Sequence, residues 1–231
     1  QTFTNGVLTL AGFTLTNAGQ TPTITATAEN PPAGTSAAIT VNPAAIDHFT
    51  VTGIADPIVA GVQASPVVTA YDQYNNVKTD YLGTIVFSSD DGAAVLPANY
   101  TFVGGDNGAH TFNAGGGEVT LKTTGEKYVR VTGDTKTGEQ SAITVNPDVP
   151  ANITWQTQPN ATYTADDLIT VAVVVKDQYN NNVANGTAVS MVINKSTLYG
   201  TTPQNTTNGV ATFNNLSVRL VDTGYNLTAS S

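Results

Sequence analysis

The chain of 231 residues carries two histidines, His48 and His110, and no cysteine. Thiol catalysis, thiolate metal sites and disulfides are thereby excluded. A Ser/His/Asp relay needs a histidine in a cleft beside an activated serine, and no G-x-S-x-G nucleophile turn occurs. Both histidines fall in alternating segments, "IDHFTVTG" and "GAHTF", where capping and packing are the expected roles. Adjacent carboxylates stand at Asp90–Asp91 and Asp166–Asp167. Neighbours along a strand point to opposite faces, so neither pair forms a shared acid/base site. The sequence predicts no enzyme.

Hard oxygen ligands are more plentiful. Asp47, Asp72, Asp90, Asp91, Asp106, Asp148 and Asp177 all sit in turn-like sequence, where calcium takes its ligands. No EF-hand or calcium-roll spacing is present. A divalent cation, if bound, is expected where Asp47 or Asp148 could meet the turns at Asp72 or Asp177. The competing expectation is that these are solvated turn-formers, the commoner use of loop aspartate. No other cofactor is expected.

Asn-x-Ser/Thr sequons stand at Asn99, Asn152, Asn160, Asn185, Asn194, Asn205, Asn215 and Asn226, seven of the eight after Pro147. They matter only in a glycosylating secretory setting; there, Asn185 and Asn205, in loop-like sequence, are the expected sites. Trp155 lies two residues after Ile153, hence on the same face of a strand, where core packing is expected.

Eight Lys+Arg against seventeen Asp+Glu give a net charge of −9. Nucleic acid is therefore not an expected partner, since it demands a clustered basic surface. No run of 18 apolar residues occurs, so no transmembrane segment is expected. No signal peptide precedes Gln1, and targeting elements of an exported protein would lie outside this chain.

The elements that position these residues are repeated. "ITVNP" occurs at 39–43 and at 143–147, a spacing of 104. "DQYNN" occurs at 72–76 and 177–181, and "TNGV" at 4–7 and 207–210. The anchors agree on a period near 104 and divide the chain into 1–43, the last part of a repeat; 44–146, a complete repeat; and 147–231, a repeat lacking its last strand. Within 44–146, runs such as "PVVTAYDQ", "GTIVFSSD" and "KYVRVTGD" are rich in Val, Thr, Phe and Tyr and bounded by Gly, Asn, Asp or Pro. Seven or eight of them in one repeat predict an antiparallel β-sandwich. No stretch keeps a helical period. "ITVNP" is expected to be a closing strand, ended by a proline that cannot donate to the ladder. "DQYNN" is expected to be a strand exit built on an Asx-type turn. "GGGE" at 115–118 reads as a local insertion.

On the residues "HFTVTG" (48–53), "VTAYDQYNNV" (68–77), "VLPANYTF" (95–102), "VTLKTTG" (119–125), "SAITVNP" (141–147) and "VAVVVKDQYNNNV" (171–183), the sequence resembles the tandem immunoglobulin-like repeats of very large prokaryotic surface proteins, adhesins and surface-layer proteins among them. The resemblance implies an all-β, tandem immunoglobulin-like sandwich fold at the cell surface. It further implies a structural role in a surface layer, sheath or fibre, with other copies or neighbouring modules of the same long chain as partners. The alternative it leaves open is an adhesin stalk or a module that binds carbohydrate or protein. Residues 1–43 and the end at Ser231 are expected to be parts of longer modules, with an apolar face left open at the first.

Overall fold

The structure, a computed structural model, describes residues 4, 7–10, 12–27, 33–113, 115 and 117–231. Ala114 and Gly116 of the glycine-rich insertion lie outside the described residues, as do parts of 1–11 and 28–32.

The middle repeat forms two facing sheets. One takes Ile46–Thr52, Val67–Asp72 and Ala109–Thr111, with Val67–Asp72 central. The other runs in the order Ile58–Val59, Lys136–Asn146, Gly125–Gly133, Thr84–Ser89, Tyr100–Thr101. A short pair, Gln63–Ala64 with Val119–Thr120, closes one end. Alternation along the strands builds the core between the sheets. Val68 and Ala70 face Val129, Val131, Ile143 and Ile85, all at 0% exposure. The intervening Arg130 turns to solvent and bonds Glu139 across the ladder.

The last repeat follows the same plan with fewer strands. Asn152–Thr157, Ile169–Lys176 and Val210–Leu216 form one sheet; Gln204–Asn205, Ala188–Ile193 and Leu227–Ser230 form the other. Val171, Val173, Val175, Val189, Ala211, Phe213 and Leu216 lie between them at 0% exposure. The all-β class expected from the sequence is what the chain adopts, and among the described residues the one helical element is a 3₁₀ turn at Gly104–Asp106.

Two details depart from the expectations. The sandwich is not wholly antiparallel, because Ile58–Val59 pairs in parallel with Val145–Asn146. And the two copies of "ITVN" differ. Ile143 and Val145 lie in the long strand Lys136–Asn146 and are buried. Ile39 and Val41 are half-buried and outside any strand, although Val41 still accepts from the Gly19 amide and Ile39 still donates to Pro22. The shared phrase sets a path; a facing sheet is needed to make it a ladder.

Candidate functional site

The best-defined polar constellation is the turn at each "DQYNN", and it lies where one repeat meets the next. Strand Val67–Asp72 ends on Asp72, and strand Ile169–Lys176 ends one residue before Asp177. Each aspartate is fully buried. Asp72 Oδ1 accepts from the amides of Tyr74 and Asn76, both at 2.9 Å. Asp177 Oδ1 accepts from the amides of Tyr179 at 2.9 Å and Asn181 at 2.8 Å. The second oxygen reaches the connecting segment: Asp72 Oδ2 accepts from the Ala44 amide at 2.8 Å, and Asp177 Oδ2 from the Asp148 amide at 3.0 Å. The turn closes through a left-handed asparagine, Asn75 at φ 61° and Asn180 at φ 70°, a conformation that asparagine tolerates better than most residues.

The last asparagine of each turn crosses to the preceding repeat. Asn181 donates to the Lys122 carbonyl at 2.7 Å and accepts from the Thr124 amide at 3.1 Å, while also donating to Asp177 at 2.8 Å. Asn76 donates to the Thr16 carbonyl at 2.7 Å and accepts from the Ala18 amide at 2.9 Å. Thr16–Ala18 in "LTNAG" thus corresponds to Lys122–Thr124 in "LKTTG". The side-chain amide supplies one donor and one acceptor to a loop that offers the complement, so both orphan backbone groups are satisfied. Tyr179 packs against the middle core, with the Lys122 ammonium 6.0 Å from its ring centroid.

A third carboxylate shapes the receiving loop. Asp91, 4% exposed, accepts from the amides of Lys122 at 2.6 Å and Thr123 at 2.9 Å and from the Thr123 hydroxyl at 2.7 Å. Burial pushes all three carboxyls up, and the converging donors outweigh it. For Asp72, the Asn76 side chain and the amides of Ala44, Asn76 and Tyr74 hold the pKa at about 2. Asp177 and Asp91 are lowered in the same way, by Asn181, Asp148 and Tyr179 in one case and by Thr123, Lys122 and Ala93 in the other.

These bonds determine what the aspartates can hold. Asp148 meets Asp177 through its amide, while its carboxylate accepts from Gln178. Asp47 turns instead to His48 at 3.2 Å and Lys136 at 3.5 Å. Among the described residues no three His, Cys, Asp or Glu side chains come together. N–H donors surround the carboxylates of Asp72 and Asp177, an arrangement suited to a fixed anion and not to cation coordination. Asp90 accepts from the Tyr128 amide. Asp106 joins a separate group: it accepts from the Tyr100 hydroxyl and contacts His110 Nδ1 at 2.8 Å, with the two rings stacked at 3.9 Å.

All eight sequon asparagines are exposed. Asn194 and Asn215 spend their Nδ2 groups on Gly224 and Thr201; Asn185 uses its oxygen to accept from the Asn208 amide. Trp155 packs against the last core.

Sequence reasoning found the turn but not its reach. Asn76 and Asn181 read only as residues tolerant of a turn, and Asp91 read as one half of a carboxylate pair. The available signal was the shared "L-x-x-x-G" at 15–19 and 121–125, each followed at nearly the same distance by "DQYNN" at 72–76 and 177–181.

No protein-family model matches this chain, and no curated protein matches it. Among solved structures it is similar to the Escherichia coli adhesin FdeC, at 16% identity and a TM-score of 0.45, over 79% of this chain and 59% of that one. It is also similar to invasin, described as a bacterial integrin-binding protein, at 17% identity and a TM-score of 0.37, over 78% of this chain and 35% of that one. Domains 5–6 of the S-layer protein SbsC match at 20% identity and a TM-score of 0.33, over 81% of this chain and 91% of theirs. The chain spans about three fifths of the FdeC structure and a third of invasin. The fold given above rests on this chain's own strands and registers, not on those likenesses. No helix among the described residues is long and apolar enough to cross a membrane.

Proposed function

We propose that the chain is a structural, non-catalytic element of a cell-surface assembly. In this reading, sandwich modules are clasped end to end so that they set spacing and carry force outside the cell. The observation that carries it is the repeated joint: the same buried aspartate, left-handed asparagine and bridging asparagine recur at both junctions, each with one bond to the connecting segment and two to the preceding repeat. A joint tied at two separated places resists bending, whereas a single tether would leave the modules free to swing. Low charge and many threonines suit side-by-side packing of copies, and exposed sequons suit a glycosylated surface.

Small-angle scattering on the native chain and on Asn181→Ala tests it. The native chain should scatter as an extended rod of fixed length, and the variant as a bent ensemble with both sandwiches folded. Identical profiles would remove the clasp from the reading. Ordered sheets or filaments formed by the native protein would favour a lattice or fibre; binding of monomers to a glycan array would favour the adhesin alternative.

A further inference from the structure

The two tyrosines of the repeated turn have different surroundings. Tyr179 is seated against the turn at Gly61, where the left-handed backbone (φ 86°) leaves no Cβ; a side chain there would occupy the space of the Tyr179 hydroxyl and ring. Tyr74 makes the same backbone turn yet is 47% exposed. The segment before it has matching open positions. "TNGV" at 4–7 and 207–210 places Leu10, Phe13 and Leu15 in register with Phe213, Leu216 and Val218. Phe213 and Leu216 are at 0% exposure, and their middle-repeat counterparts Phe112 and Val119 are buried too, at 4% and 1%. Leu10, Phe13 and Leu15 stand at 54%, 59% and 37%.

We infer that Tyr74 together with Leu10, Phe13 and Leu15 forms a docking surface for the front half of another repeat, one that carries glycine at the left-handed position held here by Gly61. The inference rests on the modular reading above and names the chemistry of its joint. What covers the equivalent surface in the middle repeat identifies the occupant: the sheet of Ile46–Thr52 and Val67–Asp72, and the turn at Gly61 that receives Tyr179.

A second copy of this chain cannot supply that seat. Its Gly61 already holds its own Tyr179. Its other candidate is Asp166, which corresponds to Gly61. Gly61 donates to Leu121, three residues before Ala64 pairs with Val119; Asp166 donates to Val218, three residues before Ile169 pairs with Leu216. Asp166 keeps the left-handed backbone at φ 69° but bears a side chain, bonded to Arg219 at 3.2 Å and Ser217 at 3.1 Å. Its Cβ would stand where the tyrosine must go.

The test extends the full chain with a copy of residues 44–105 placed ahead of Thr4, and measures nitration of each tyrosine by tetranitromethane. In the unextended chain Tyr74 should nitrate faster than Tyr179. In the extended chain its rate should fall to that of Tyr179, and Gly→Asp at the added copy of position 61 should restore it while scattering still reports folded sandwiches. A Tyr74 rate unchanged by the extension overturns the inference, and so does concentration-dependent association of the unextended chain that shields Tyr74. Either failure would leave rod-like scattering intact, so it is distinguishable from failure of the structural reading.

Discussion

At the far end of the middle sandwich the loop Lys122–Thr124 hangs from Asp91, whose carboxylate collects its N–H groups. At the far end of the last sandwich the corresponding loop runs through Leu220–Gly224 and hangs from Asn194 and Lys195. Asn194 donates to the Gly224 carbonyl at 3.2 Å, and the Lys195 ammonium donates to the Thr223 carbonyl at 2.9 Å. Asn194 keeps the acceptor role of Asp90, taking the Asn226 amide at 2.6 Å as Asp90 takes that of Tyr128 at 2.9 Å, but at the next position the acceptor Asp91 has become the donor Lys195. Gly61 has become Asp166, and Lys122 has become Arg219, stacked 4.2 Å over Tyr199. The strands beneath have hardly changed, since Phe87 and Met191, Val129 and Leu227 occupy the same ladder positions. Apolar alternation holds the frame, and the loops need only some polar anchor of either sign. That freedom lets one end of a module be re-coded for a different neighbour while its core stays the same.

The largest expected effect separates the cores. Phe213→Ala should cost about 3–5 kcal/mol, lowering the calorimetric transition of the last sandwich and leaving the middle sandwich's transition in place. Coincident shifts of both transitions would mean that the modules unfold as one unit. Next comes the joint: Asp177→Ala strands amides of Asp148, Tyr179 and Asn181 and should cost about 2–4 kcal/mol. It should also divide the two melting steps more than Asp72→Ala does, because the sandwich on the near side of Asp177 is fully packed.

Acid should act in the same direction. Asp72 has a folded pKa of about 2 against an ordinary 3.8, and Asp177 and Asp91 are likewise lowered. A depressed carboxyl pKa gives stability that is complete above about pH 4 and lost as pH falls through the folded value. Denaturant midpoints should therefore be flat from pH 7 to about 4 and decline towards pH 2, and Asp177→Asn should shallow that decline. The smallest effect contrasts the two loop anchors. Asp91→Ala should cost about 2 kcal/mol, and Lys195→Ala, at an exposed site, should stay within about 0.5 kcal/mol in the same melts.

The sequence made the frame legible because its signals are local and periodic. Alternating Val, Ile and Phe gave strands, the Asn-Pro pairs marked joints, and the copied "DQYNN" placed a turn at each. The partners of that turn were not legible, because Asn181 meets Lys122 and Thr124 across 57 to 59 residues of chain and no local rule links them. The match of Gly61 to Asp166 was hidden for a different reason. The residues differ, so nothing in their identity marks them as a pair, although each stands the same eleven residues before the aspartate of "DQYNN". The matching ladder registers, Ala64 with Val119 and Ile169 with Leu216, establish the pairing. The expectation for "ITVN" at 39–42 failed because a strand there depends on a facing sheet that local sequence does not report.

The bridging asparagine also determines how a joint behaves after it has been pulled apart. Its bonds to the neighbouring loop are two ordinary hydrogen bonds between uncharged groups, which break and re-form without a covalent step. The amide of Asp148 fastens the connector to the same turn, so the separated halves remain on a leash a few residues long. A short tether keeps broken partners at an effective concentration on the order of millimolar, and closing such a loop takes about 10–100 ns. A row of such joints would yield one at a time under a sudden load and re-latch when the load passes, dissipating work without lasting damage to the sandwiches.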